Sequence, residues 1–200
     1  MFTGIVTELG SIVAVAPTDG GARIELAAPD TAPGMAIGDS VAVNGVCLTA
    51  VGLDGSHITV ELVAETLART NLGGLAPGDI VDLERPMPAD GRFDGHMVQG
   101  HVDGTGRIAH IAADGPGRRL RIGVDPSLAR YIAEKGSITV DGVSLTVTAV
   151  SDRGDPWFEV ALIPHTLAVT VLGRRGDGDT VNLEVDVIAK YVERMMATRP

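Results

Sequence analysis

Aromatic residues are scarce in this chain. Its 200 residues include three Phe, two Tyr and one Trp. A flat ring ligand therefore cannot rely on a cage of stacked aromatic side chains. Backbone groups, small polar side chains and aliphatic walls would have to hold it instead.

Cysteine and positive charge are also in short supply. Cys47 is the one cysteine, which excludes an internal disulfide and a metal site built from several cysteines. The formal net charge is −10 at pH 7, whereas a non-specific nucleic-acid binder needs a basic surface. Two of the 16 basic residues are lysines, Lys135 and Lys190.

Long apolar runs are missing as well. No run approaches the ~18 residues that span a bilayer. The N-terminal stretch Met1–Val6 has no basic region ahead of an apolar segment, so it does not have the pattern of a signal peptide. We expect a soluble, cytoplasmic protein with neither nucleic-acid nor membrane partners.

An internal repeat is the main positive feature of the sequence. Three blocks recur in the same order, with small changes of offset between them. The pairs are Gly4–Val6 with Gly100–Val102, Ser40–Val51 with Ser137–Thr148, and Gly78–Glu84 with Gly178–Glu184. This order predicts a duplicated domain with insertions in its loops.

The copies are joined by a stretch that is typical of a linker. Residues Pro86–Arg92 contain two prolines and a glycine. We predict a first domain over residues 1–96, a second over 97–186 and a C-terminal tail over 187–200.

Short β-rich runs separated by turns fill each copy. Asn44-Gly45 and Asp141-Gly142 lie between such runs, where these dipeptides favour a type I′ hairpin turn. About six strands per copy predict a small closed barrel, and a sandwich is the alternative.

Two segments have helical patterns. Asp125–Ile132 starts with an acidic cap candidate followed by proline. The tail from about Val187 carries an apolar stripe at helical spacing, formed by Ile188, Tyr191, Val192, Met195 and Met196. The stripe could pack on its own barrel or associate with other copies, and the pattern does not choose between these.

The two copies differ at a few polar positions within the matched blocks. From first copy to second, Asn44 becomes Asp141, Cys47 becomes Ser144, Ile5 becomes His101, Gly38 becomes Lys135 and Glu65 becomes His165. This asymmetry suggests that the first copy binds a ligand while the second binds and also moves protons. Neutral drift on the surface is the alternative at any single position.

An ordered set of motifs over nearly the whole chain resembles the riboflavin synthase family. The motifs are Met1–Val6, Asn44–Thr49, Glu65–Leu67 with Thr70–Gly73, Gly95-His96 with Gly100–Val102, Lys135-Gly136, Asp141–Thr146 and Ile163–Thr166. The resemblance implies a mainly β fold of two tandem six-stranded antiparallel Greek-key barrels with short helices and a C-terminal helix. It also implies a homotrimer whose tail helices associate, and it leaves open an association with lumazine synthase.

The same resemblance implies a transferase reaction. Two molecules of 6,7-dimethyl-8-ribityllumazine would react by transfer of a four-carbon unit, giving riboflavin and 5-amino-6-(ribitylamino)uracil. No cofactor and no metal is implied. The protein would have to hold two identical molecules face to face, and such positioning can contribute roughly 7–11 kcal/mol.

The resemblance further implies a set of site residues. His101 is the first candidate for proton transfer, because imidazole titrates near neutral pH. The other catalytic candidates are Cys47, Ser144, Phe2, Asp141, Lys135 and Asp186. The candidate ligand-binding residues are Gly4, Ile5, Val6, Cys47, Leu48, Thr49, Glu61, Leu62, Val63, Ala64, Glu65, Thr66, Gly100, His101, Val102, Lys135, Ser144, Leu145, Thr146, Ala161, Leu162, Ile163, Pro164, His165 and Thr166.

Two other functions compete with the enzyme. A non-catalytic lumazine- or flavin-binding protein would share the fold but lack a complete second site, whereas here the second copy keeps His101, Lys135, Asp141 and Ser144. A flavin-dependent oxidoreductase would need a nicotinamide-binding domain, for which 200 residues leave no room.

Overall fold

A computed structural model describes residues 1–151 and 154–197 of the chain. The strands are β1 (Glu8–Thr18), β2 (Gly21–Ala27), β3 (Ser40–Val43), β4 (Val46–Asp54), β5 (His57–Val63), β6 (Ile80–Glu84), β7 (Gly104–Asp114), β8 (Gly117–Gly123), β9 (Ser137–Val140), β10 (Val143–Ser151), β11 (Trp157–Leu162) and β12 (Thr180–Val185). The α-helices are α1 (Ala64–Arg69), α2 (Pro126–Ala129), α3 (Pro164–Val169) and α4 (Val187–Ala197), and short 3₁₀ helices span Asn71–Gly74 and Val171–Gly173.

The strands form two closed antiparallel barrels. In the first the order is β1-β2-β5-β4-β3-β6, and in the second it is β10-β11-β8-β7-β12-β9. Alternating residues fill each interior. In β2, for example, Ile24 and Leu26 are buried, whereas Arg23 is exposed. The predicted pair of six-stranded barrels is confirmed, and the sandwich alternative is wrong.

The two predicted hairpin turns are confirmed by their backbone angles. Asn44 and Gly45 have φ of +45° and +78°, and Asp141 and Gly142 have +48° and +83°. Positive φ at both central residues defines a type I′ turn, whose twist matches that of the flanking strands.

The second of the predicted helical segments is present, and the first is shorter than expected. Asp125 caps α2 by accepting a hydrogen bond from the backbone of Ser127, but the α-helix ends at Ala129. Beyond it, Tyr131 N–H bonds the carbonyl of Leu128 and Ile132 N–H that of Ala129, a tighter turn that leads towards β9.

The C-terminal helix α4 is held on the second barrel by its polar side. Lys190 Nζ lies 2.7 Å from Asp103 Oδ1, and Glu193 Oε1 lies 2.9 Å from Arg130 Nη1. The five residues of the apolar stripe are each at least half exposed, so the stripe is not packed on its own barrel. None of the described helices has the length and hydrophobicity that crossing a bilayer requires.

A buried carboxylate on the first barrel reaches across to the second. Asp82 N–H donates to Asn44 Oδ1 at 2.8 Å, and Asp82 Oδ1 accepts from the Val171 N–H of the second copy, also at 2.8 Å. Burial raises the pKa of Asp82 well above its ordinary value; the nearby Asp141 carboxylate adds to this, and the Arg175 guanidinium opposes it.

The matching contact from the second barrel uses an amide instead. Asn182 Oδ1 accepts from Asn71 N–H at 2.7 Å, and its Nδ2 donates to the Asn44 carbonyl at 2.9 Å. Asp141 accepts from Asn182 N–H and from Asn71 Nδ2, each at 2.8 Å, and pairs with Arg175 at 2.7 Å. The barrels are thus joined by a buried polar network with approximate two-fold symmetry.

Candidate functional site

Two short segments cross between the barrels. We call residues 2–6 the first arm and residues 98–102 the second arm; they join at an antiparallel bridge between Phe2 and Val98. The carbonyl of Gly4 accepts from Ser144 N–H at 2.8 Å, and the carbonyl of Gly100 accepts from Cys47 N–H at 2.8 Å. Each arm therefore binds to the barrel of the other copy.

Glycine is needed where each arm touches the opposite barrel. Gly4 and Gly100 have φ of +76° and +77°, in the region that favours glycine. A Cβ on Gly4 would lie 2.6 Å from Ser144 Cβ, and one on Gly100 would lie 2.6 Å from Cys47 Cβ. No larger residue fits at either crossing.

The arms also exchange their apolar side chains. Val6 of the first arm packs against the core of the second barrel, while Val102 of the second arm packs against the core of the first. We define the first seat as the surface of Cys47–Thr49, residues 61–66 and the second arm, and the second seat as that of Ser144–Thr146, residues 161–166 and the first arm. The predicted ligand-binding residues other than Lys135 fall into these two groups.

Exposed aliphatic side chains stand at equivalent places on the two seats. Val63 follows Leu62 at the end of β5 and is 64% exposed, and Ile163 follows Leu162 at the end of β11 and is 63% exposed. Ile5 of the first arm is exposed as well. These residues can provide the aliphatic walls expected for a ring ligand in a protein with few aromatics.

A histidine and a serine are hydrogen-bonded in the second seat. His96 Nδ1 lies 2.7 Å from Ser144 Oγ, and His96 N–H donates to the Thr3 carbonyl at 3.2 Å. Burial lowers the pKa of His96, and the Asp186 carboxylate opposes that shift. A neutral imidazole beside a hydroxyl can accept a proton or orient the hydroxyl towards a ligand.

His96 is not among the site residues that the sequence predicts. Gly95-His96 is part of the family resemblance, but the comparison of the two copies begins at Gly4 and Gly100 and so passes over it. Its contact with Ser144 joins residues far apart in the sequence, which no local pattern reports.

His101 belongs to the second copy, but it lies on the first seat. It follows Gly100 on the second arm, which binds beside Cys47 on the first barrel, and its side chain is exposed. Of the polar residues gained by the second copy, His101 therefore lies on the first seat, whereas Ser144 and His165 lie on the second. A simple separation of a binding copy from a proton-moving copy does not describe them.

The remaining catalytic candidates lie in different surroundings. Phe2 is fully buried against Ala42 and Val98, with Cys47 packed on the same cluster. Asp141 is fully buried in the network between the barrels. Asp186 caps α4 by accepting from Ile188 N–H at 2.9 Å.

Lys135 occupies a turn that requires a positive φ. Its φ is +67°, and Gly38 at the matching turn has +96°. Lys135 N–H donates to the Val147 carbonyl and Gly38 N–H to the Ala50 carbonyl, so the two turns have the same hydrogen bond. The Lys135 side chain is exposed, and within one chain it is not part of either seat as defined above.

A family model for the lumazine binding domain matches the chain twice, at residues 3–86 and 99–186. The two matches correspond to the two barrels and include all but the first residue of each arm. A solved structure of LumP complexed with riboflavin has the same fold, with a TM-score of 0.84 and 26% sequence identity over 93% of this chain and 100% of that one. Fold and paired seats together define a protein with two lumazine-binding domains.

Curated relatives narrow the class further. Riboflavin synthase of Mycobacterium tuberculosis is 49% identical over 98% of both chains. Riboflavin synthase of Actinobacillus pleuropneumoniae is 45% identical over 100% of this chain and 92% of the relative, and that of Bacillus subtilis is 39% identical over 98% and 90%. The chain belongs to the riboflavin synthase family of enzymes.

Proposed function

We propose that this enzyme converts two molecules of 6,7-dimethyl-8-ribityllumazine into riboflavin and 5-amino-6-(ribitylamino)uracil. One molecule donates a four-carbon unit to the other, and the atoms of the two substrates equal those of the two products. The observation that carries the proposal is the pair of equivalent seats, each closed by an arm from the other copy. A reaction between two identical molecules needs two sites of this kind.

The features that the two seats share support binding of the same ligand, and the residues in which they differ support a reaction between the two bound molecules. Val63 and Ile163 give both seats an aliphatic wall, and backbone groups of the arms can bind ring edges and ribityl hydroxyls. Cys47 and His101 belong to the first seat, whereas the second seat has Ser144 with His96 hydrogen-bonded to it. Molecules bound in these seats would meet different groups, as a donor and an acceptor require.

We assign proton transfer from the C7 methyl group to His101, whose exposed imidazole lies on the second arm. Ser144 and Cys47 orient the bound rings, and Asp186 acts on the second seat through His96. Phe2 and Asp141 support the seats from buried positions: Phe2 packs beneath Cys47, and Asp141 fixes the hairpin turn before Ser144.

We also propose that the active form is a homotrimer. The exposed stripe of α4 offers an apolar surface for association. In such an assembly the first seat of one subunit faces the second seat of its neighbour, and Lys135 contacts the ligand bound in the second domain. The same proposal includes a domain division at residues 96/97 and 186/187. It also includes a location in the cytoplasm and an association with lumazine synthase.

The decisive experiment is to incubate the purified protein with 6,7-dimethyl-8-ribityllumazine and to record the absorbance of riboflavin as it forms. Production of riboflavin and the aminopyrimidine in equal amounts is expected. Tight binding of the lumazine without turnover would contradict the proposal and would favour the non-catalytic binding protein.

A further inference from the structure

Two buried glutamates stand at equivalent positions at the ends of the barrels. Glu84 is in β6 and Glu184 in β12, at the repeat offset of 100, and both side chains are buried. Burial raises the pKa of both carboxyl groups, and in each case backbone N–H groups of an arm oppose the shift. A buried carboxylate is costly unless hydrogen bonds satisfy it, so the contacts that each one makes are informative.

Glu84 binds the first arm through both of its oxygens. Oε1 accepts from Thr3 N–H at 2.7 Å and from Thr3 Oγ1 at 2.8 Å, and Oε2 accepts from Gly4 N–H at 3.0 Å. The opposite side of the same peptide segment faces the second barrel, where the Gly4 carbonyl accepts from Ser144 N–H. The arm is thus fixed between a carboxylate of the first barrel and the second seat.

Glu184 contacts the second arm through one of its two oxygens, and its buried Oε2 has no hydrogen-bond partner among the described residues. Its Oε1 accepts from Gln99 N–H at 2.7 Å, and the N–H groups of Gln99 and His101 both lower its pKa. The Gly100 carbonyl, between these two residues, accepts from Cys47 N–H of the first barrel. A carboxylate of the second barrel therefore fixes the arm that carries His101 to the first seat.

We propose that Glu84 and Glu184 are positioning residues, each of which shapes the seat on the barrel opposite its own. The relation is crossed: Glu84 of the first barrel determines the geometry of the second seat, and Glu184 of the second barrel determines that of the first. That the seats bind substrate rests on the proposed function, but the positions of the arms do not depend on it.

The test uses the single thiol of the chain as a reporter. Cys47 is partly exposed and its backbone binds the second arm, so release of that arm uncovers it. The rate at which 5,5′-dithiobis(2-nitrobenzoate) labels Cys47 is measured in three full-length proteins. They are the wild type, the Glu84→Gln variant and the Glu184→Gln variant. Glutamine keeps the size of the side chain but cannot be ionised, and it replaces one of the two acceptor oxygens with an NH₂ donor.

Glu184→Gln is expected to speed labelling of Cys47 about tenfold, because an amide oxygen accepts the Gln99 N–H more weakly than the carboxylate does. Glu84→Gln, the matched control, is expected to leave the rate within about twofold. A second reporter, Cys47→Ser with Ser144→Cys, places the thiol on the other seat. There the pattern should reverse, with Glu84→Gln fast and Glu184→Gln slow.

Equal acceleration of both reporters by either glutamine variant would mean general loosening and would overturn the proposal. Unchanged labelling in all combinations would overturn it as well. If a glutamine variant does not fold, the shorter carboxylates of Glu84→Asp and Glu184→Asp replace it, with the same crossed pattern expected at smaller amplitude. Because labelling needs neither substrate nor turnover, failure of the proposed reaction leaves this result unaffected.

Discussion

Gly45 and Gly142 meet backbone to backbone where the hairpin turns of the two barrels touch. A Cβ on Gly45 would lie 2.6 Å from Gly142 N, and a Cβ on Gly142 would lie 2.7 Å from Gly45 N. The contact is reciprocal, as expected for two turns related by an approximate two-fold axis. Any side chain at either position would push the barrels apart.

We predict that Gly142→Ala destabilises the protein by more than its backbone angle alone explains. The positive φ costs an alanine about 1–2 kcal/mol, and overpacking against rigid backbone adds roughly 1–3 kcal/mol. Gly115→Ala is the control, since Gly115 has φ of +59° and nothing within 4 Å of an added Cβ. Urea unfolding measures both; equal losses would show that the turns do not constrain each other.

The buried carboxyl group of Asp82 predicts a pH-dependent stability. Its folded-state pKa is raised, so its contribution is present at low pH and is lost as the pH rises through that folded value. We expect Asp82→Asn, which matches Asn182 of the second copy, to gain stability relative to wild type as the pH rises, by up to about 1.4 kcal/mol per pH unit.

The measurement for Asp82 is the free energy of unfolding in urea at pH 5 and pH 8. Asp90→Asn, at an exposed position in the linker, is the control and should show the same pH dependence as wild type. A relative gain that is equal at both pH values would assign the effect to packing and not to ionisation.

His96 offers a direct test of the electrostatics in the second seat. Burial lowers its pKa and Asp186 raises it, so removing the Asp186 charge should lower the pKa further. We expect Asp186→Asn to shift the NMR titration of the His96 imidazole to lower pH. Asp177→Asn should leave it unchanged, because Asp177 lies near His110; an equal shift in both variants would exclude a local effect.

Loss of the His101 imidazole should slow catalysis without preventing binding. We expect His101→Ala to lower kcat by about 10²–10⁴-fold, the usual contribution of a general acid or base. His110→Ala, which removes another exposed histidine, should retain the wild-type rate. Riboflavin formation and riboflavin binding are measured on the same samples, and a wild-type kcat in His101→Ala would remove the residue from the proton-transfer role.

The tail helix should control assembly. We expect deletion after Asp186 to give monomers with intact barrels and little activity, because the apolar stripe of α4 is lost. Tyr191→Asp with Met195→Asp should act in the same direction by charging that surface. Ala16→Asp on the first barrel is the control, and sedimentation velocity gives the masses; a truncated chain that still sediments as a trimer would refute this role.

The parts of the fold that can be predicted from the sequence are those that depend on short local patterns or on the internal repeat. The Asn44-Gly45 and Asp141-Gly142 turns, the strand alternation and the matched blocks are properties of short sequences, and they led to two barrels. The pattern after Asp125 predicts too long a helix, because capping residues mark where a helix starts, whereas tertiary structure decides where it stops.

The site was predictable only as a set of residues. Which residues share a seat depends on hydrogen bonds such as Gly4 to Ser144, between distant parts of the chain. Glu84 and Glu184 look like ordinary polar residues at the ends of strands, and their burial and partners become apparent only when the arms are in place. For the same reason the sequence groups His101 with the copy that contains it and not with the seat to which its arm belongs.

The crossing of the arms has a consequence for any single barrel. A lone copy would carry an arm with no barrel to receive it and a seat with no arm to close it. Two identical lone copies could satisfy both needs by exchanging arms about a two-fold axis, an isologous pairing in which each subunit completes its twin. The present chain is such a pair joined by a linker, and the covalent link is what allows its two halves to carry different residues at equivalent places.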